Sequence, residues 1–95
     1  MAIKIVISRT VTIIQEPSVK PIFSELHLLA WKSNGYISGE TLVNVSNPDN
    51  SIIISSWQTI EDWERFQAME EVRQLHAKVE QILGTKTVQT IYKNK

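Results

Sequence analysis

Residues Asn50 to Val79 read NSIIISSWQTIEDWERFQAMEEVRQLHAKV, and the order of elements inside this stretch decides the fold. Ile52 to Ile54 form a β-branched run that continues through Ser55 and Ser56 to Trp57. The turn cluster Asn47-Pro48-Asp49-Asn50 bounds it upstream, so it reads as a strand. Thr59 then opens a helix. Its hydroxyl can accept from the backbone N–H three residues on, and Glu61 and Asp62 place negative charge in the first turn, where the helix dipole favours it. Ile60, Trp63, Phe66, Met69, Val72, His76, Val79 and Leu83 recur at helical spacing as one apolar stripe. The stripe drifts near Ala68 to Glu70, which predicts a kink, and Gly84 caps the end. A strand that passes within two residues into an aromatic-lined helix builds one wall of a pocket.

Upstream, Ile3 to Ile14 alternates. Ile3, Ile5, Ile7, Val11 and Ile13 share one parity, interrupted by Arg9, while Lys4, Val6, Ser8, Thr10 and Thr12 share the other. Glu16-Pro17-Ser18 ends that strand. Val19, Ile22, Phe23, Leu26 and Leu29-Ala30 then predict a helix from about Val19 to Ser33, closed by Asn34-Gly35 and with Pro17 and Pro21 near its start. Tyr36 to Val45 reads as a strand whose Gly39 marks a bulge or a close backbone approach. The tight connection to Ser51 makes these two strands an antiparallel hairpin. Thr85 to Tyr92 alternates as a last strand. The order strand, helix, strand, strand, helix, strand predicts an α+β, ferredoxin-like βαββαβ domain: an antiparallel sheet with two helices on one face.

The hairpin is apolar on both parities, at Ile52, Ile53 and Ile54 and again at Tyr36, Ile37, Leu42, Val43 and Val45. The helices cover one face only. A second copy docking its own sheet by two-fold symmetry would cover the other, so the pattern predicts a homodimer with sheet-on-sheet packing.

The chain has 95 residues, which bounds it to one domain over 1–95. Ten basic and ten acidic residues give no net charge, and hence no electrostatic reason to expect nucleic acid or an anionic membrane as partner. No cysteine is present, so disulfides, thiolate nucleophiles and thiolate metal sites are excluded. The start, MAIKIVISRTV, lacks the layout of a signal peptide, and no apolar run approaches membrane-spanning length. A cytoplasmic protein is expected. His27 and His76 lie on different helices without a second ligand at helical spacing, so no metal site is expected. The three glycines are isolated and make no phosphate loop.

His76 stands on the apolar stripe, so its imidazole faces the sheet. Two roles fit it: a core-edge histidine bonded to a backbone group, or a pocket base able to accept a proton from a phenol. Trp57 is a packing wedge or a pocket wall, and His27 reads as surface.

The glycine-started strand at Gly35-Tyr36 to Glu40, the strand ending ISSW and the helix reading EDWERF together resemble the antibiotic biosynthesis monooxygenase family. The resemblance covers nearly the whole chain in element order. It implies a dimeric α/β barrel built from two ferredoxin-like protomers. One branch of that family oxidises phenols or quinols with molecular oxygen and no cofactor, the substrate serving as reductant. Another degrades haem with an Asn on the first strand and a Trp and a His on the second helix. Here the Asn-Arg pair of the first strand appears as Ser8-Arg9, and the positions matching the Trp and the His are Phe66 and His76, so the His is in place while the Asn and the Trp are replaced. The expectation is therefore a cofactor-independent monooxygenase acting on a small aromatic phenol or quinol. Its pocket would be lined by Phe23, Trp57, Trp63 and Phe66, with His76 taking the phenolic proton. A non-catalytic small-ligand or stress-response module on the same scaffold is the alternative, and a haem-binding protein the third reading.

Overall fold

Alternation carries Ile3–Thr10 as strand β1, with Ile3, Ile5 and Arg9 buried and Lys4, Ser8 and Thr10 exposed. The computed structural model describes residues 2–95. Helix α1 spans Glu16–Trp31, strands β2 and β3 span Tyr36–Val43 and Asn50–Trp57, helices α2 and α3 span Ile60–Ala68 and Glu70–Leu83, and strand β4 spans Val88–Lys93. All pairings are antiparallel, in the order β2-β3-β1-β4. That is the ferredoxin-like α+β arrangement expected from the element order, with one helix more than expected.

The extra helix comes from the break at Met69, inside the segment where the apolar stripe drifts. Met69 adopts an extended backbone (φ −63°, ψ 133°) and serves at once as the last cap of α2 and the first of α3. At the head of α2 the Thr59 hydroxyl accepts from the Asp62 backbone N–H at 3.1 Å, as the sequence pattern required.

Several boundaries differ from expectation, β2 ending at Val43 and α1 at Trp31 among them. β1 stops at Thr10 because Thr12 and Gln15 form a reciprocal cap: the Thr12 N–H donates to Gln15 Oε1 and the Gln15 N–H to Thr12 Oγ1, each at 3.2 Å. This box starts α1 three residues early, places Pro21 inside the helix, and leaves Ile13 and Ile14 exposed on a turn. β4 begins at Val88 rather than Thr85, because Glu80 Oε2 accepts from the Thr87 N–H at 2.7 Å and holds the preceding residues to α3. The hairpin bulge lies at Ile37, between Tyr36 and Ser38. Gly39 is the close approach: a Cβ there would lie 2.6 Å from the Tyr36 hydroxyl.

All three helices pack on one face of the sheet. Ile3, Ile5 and Trp57 meet Leu26 and Ala30 of α1, Phe66 of α2, and Val72 and Leu75 of α3. Val19, Val79 and Leu83 form a second cluster, joined by Val11, Ile22 and Phe23. The register puts Val6, Leu42, Ile52, Ile54, Val88 and Tyr92 on the opposite face, where no helix among the described residues covers them. Among the described residues no helix is long and apolar enough to cross a membrane.

Candidate functional site

Between the helices and the β2–β3 side of the sheet lies a half-open cavity of about 640 Å³. Its floor is the inward parity of β1 and β3, including Ile7, Arg9, Ile53 and Trp57. Phe23, Leu26 and Ala30 close it from α1, Trp63 and Phe66 from α2, and His76 from α3. The five residues singled out from sequence, Phe23, Trp57, Trp63, Phe66 and His76, all border this space.

They do not converge on one point. Trp57 lies opposite Ile3 in the β1–β3 ladder, while Arg9 lies opposite Ser51, six residues along the strand and so roughly 20 Å away. At the Trp57 end the rings form a continuous series. Tyr36 meets Trp57 edge-on at 5.3 Å between centroids, Phe66 lies tilted over Trp57 at 5.1 Å, and His27 meets Tyr36 edge-on at 6.2 Å. Trp57 is only 1% exposed, and its Nε1–H donates to Ser55 Oγ at 3.2 Å. It is a wedge that fixes the other rings and presents almost no surface of its own. His27 is exposed, as its sequence position indicated, and borders the cavity mouth. Burial raises the Tyr36 pKa.

The other end is built on Arg9, which the sequence pattern presents only as an interruption in an apolar strand. Arg9 is 8% exposed. Its guanidinium carbon sits 4.8 Å from the centroid of the Phe23 ring, and its Nη2 lies 3.3 Å from His76 Nδ1. Among the described residues no carboxylate forms an ion pair with it, and its Nε is buried without a hydrogen-bond partner. Desolvation lowers the Arg9 pKa to about 10, partly offset by the field of Glu80, so the group is still charged at neutral pH. A buried unpaired ion costs several kcal/mol even after relaxation. A desolvated cation–π contact such as that with Phe23 returns about 2 kcal/mol.

A guanidinium has donors only, so His76 Nδ1 is the acceptor and the ring carries its proton on Nε2. Burial first, then the Arg9 charge, lower the His76 pKa, and Glu80 opposes them. Imidazole is therefore the resting form. Ser8 lies exposed on the opposite face of the sheet, away from the cavity, so the residues present do not rebuild the haem-degrading set. Among the described residues no three His, Asp or Glu side chains come together as metal ligands.

Arg9 was not recognisable in the sequence as a site residue because its partner is 67 positions away. Parity was one available signal, and the match of Ser8-Arg9 to an Asn-Arg pair was another. Parity placed Arg9 on the same face as Ile3, Ile5 and Ile7, where a charge has to meet either a partner or a cavity.

The described residues thus form an aromatic-walled cavity between the sheet and the helices of a ferredoxin-like α+β domain. No family model and no curated protein matches the sequence. Solved structures do match. A conserved protein from Methanosarcina mazei Go1 superposes with a TM-score of 0.91 over 100% of this chain and 94% of its own, at 17% identity. An antibiotic biosynthesis monooxygenase superposes at 0.84 over 98% of each chain, at 13% identity. SnoaB, a cofactor-independent oxygenase from Streptomyces nogalater, superposes at 0.83 over 99% of this chain and 93% of its own, also at 13% identity. At these identities the shared property is the fold, and that fold is the one of the antibiotic biosynthesis monooxygenases.

Proposed function

We propose that this protein oxygenates a planar phenol or quinol with molecular oxygen, the substrate supplying the electrons. The observation that carries the reading is the cavity itself: aromatic rings at one end to stack a flat ligand and exclude water, and a guanidinium at the other to hold its oxygen as the anion. The fold shared with a cofactor-independent oxygenase supports it.

In this scheme the phenolate oxygen lies against Arg9. The electron-rich ring passes an electron to oxygen, and the resulting pair joins at a ring carbon as a hydroperoxide. Loss of water leaves a second carbonyl. One oxygen atom ends in the quinone and the other in water, and the ring C–H hydrogen leaves as a proton. His76 was expected to take the phenolic proton. With Nδ1 already accepting from Arg9 and its basicity lowered, its role in this scheme is to hold the guanidinium in place.

Oxygen-electrode measurement with a panel of naphthols, hydroxynaphthoates, anthrones and hydroquinones tests the reading. The expected result is one oxygen consumed per substrate, with one labelled atom in the product from ¹⁸O₂. Uptake no faster than without protein across the panel overturns it.

The same reading includes assembly. Two copies pair through the face that carries Val6, Leu42, Ile52 and Ile54, a pairing supported by the lack of any helix on that face among the described residues.

A further inference from the structure

We infer that the ligand of this cavity enters already ionised, and that Arg9 selects it: the substrate class is a flat aromatic carrying a carboxylate or a comparably acidic enol. The inference deepens the proposed function and rests on the cavity's being a ligand site.

Three observations lead to it. The Arg9 guanidinium is buried, retains its charge and has no ion-pair partner among the described residues, while its Nε hydrogen has no acceptor at all. A buried cation in that condition lacks an anion, and the open side of its surroundings is the cavity. The one basic nitrogen beside it, His76 Nδ1, is occupied by Arg9 Nη2. Moving a ligand proton onto His76 would place a second positive charge next to the guanidinium. A neutral, weakly acidic phenol therefore finds no group to ionise it, whereas a preformed anion supplies the missing charge.

The other charged groups around Arg9 do not replace that anion. Glu80 on α3 acts on it from beyond ion-pair distance, and its Oε2 accepts from the Thr87 N–H. Glu16 and Lys20 of α1 and Glu40 of β2 border the cavity but are exposed, and Asp49, half-buried, borders it from the β2–β3 turn. Exposed charges of mixed sign are screened by water. Arg9 is the buried one. The aromatic walls of the same cavity, beginning with Phe23 beside the guanidinium, set the rest of the ligand: flat and apolar.

Equilibrium binding under nitrogen, followed by tryptophan fluorescence and calorimetry, tests this on the intact protein. The probes are 1-hydroxy-2-naphthoate, an anion at pH 7.5, and the neutral 1-naphthol. The wild type should favour the anion by roughly 10- to 150-fold, the worth of hydrogen bonds to a charged group. Arg9→Gln should weaken binding of the anion at least about tenfold more than that of 1-naphthol, and so remove the preference. Arg9→Lys should restore part of it, which a merely structural role for Arg9 would not produce. Equal affinities in the wild type, or a preference that survives Arg9→Gln, overturn the inference, as does failure of both probes to bind. Should Arg9→Gln not fold, the wild-type ratio alone still decides. The two readings separate cleanly. Anion preference without oxygen uptake upholds this inference and sinks the oxygenase. Uptake with neutral phenols and no charge preference does the reverse.

Discussion

Arg9 and His76 stand 67 residues apart in the chain and 3.3 Å apart in the fold. Each changes the other. The guanidinium fixes the imidazole tautomer and helps burial to keep it uncharged, and the imidazole accepts one of the few hydrogen bonds available to the guanidinium. A pH dependence follows, and its sign can be worked out. The unfolded His76 takes up a proton near the ordinary value of 6.5, and the folded one only at lower pH. Between those values the unfolded chain binds more protons, so stability from this group is complete above pH 6.5 and is lost as pH falls below it. Urea midpoints measured from pH 7.5 to 5 should therefore fall more steeply for the wild type than for His76→Gln. Parallel curves would show that His76 titrates alike in both states. Parity had already put both residues on inward faces. Their meeting was not legible, since no pattern in a single sequence links a strand residue to a helix residue across the domain.

Elements were more legible than contacts. Alternation marked β1 and β3, the Asn47-Pro48-Asp49-Asn50 cluster marked the hairpin turn, and the drifting stripe marked the break that Met69 makes. The misplaced start of α1 has a plain cause: Thr12 and Gln15 satisfy each other three residues apart, and that spacing was present in the sequence but masked by the strand-like Val11 and Ile13. Glycines allow a quantitative contrast at this scale. Gly84 caps α3 at φ +70° with open space where a Cβ would go, so Gly84→Ala should cost about 1 kcal/mol, the penalty of left-handed backbone alone. Gly35, at φ +87°, joins α1 to β2, and its Cβ would strike the Asp62 side chain. Gly35→Ala should cost distinctly more, roughly 2 kcal/mol or above, because it adds that collision to the same backbone penalty. Denaturant midpoints check both, and equal losses would remove the Asp62 contact from the account.

For the whole molecule, the decisive asymmetry is between the two faces of the sheet. One is filled by α1, α2 and α3, and the other leaves Leu42, Val88 and Tyr92 exposed and Val6, Ile52 and Ile54 half-covered. Burying a large aliphatic side chain is worth about 1.5–3 kcal/mol, so in the proposed pairing the whole set of these residues, doubled by symmetry, has to offset an association cost of about 4–15 kcal/mol. Ile54 lies between Val6 and Glu40 in the ladder, near the middle of that surface. Ile54→Glu should halve the sedimenting mass at micromolar concentration and leave helix content unchanged. A wild type that sediments as a single chain would remove the pairing altogether.

The break at Met69 divides the cavity's gauge into two pieces. Trp63 and Phe66 ride on the segment before it, and His76 rides on the segment after it. The β1–β3 ladder sets the spacing between Trp57 and Arg9, whereas this joint sets how Trp63 and Phe66 sit relative to His76. A residue inserted or deleted there would shift the α2 rings against His76 and leave Arg9 and Trp57 on their strands. Under the proposed function, the width of the cavity has one short place at which to change.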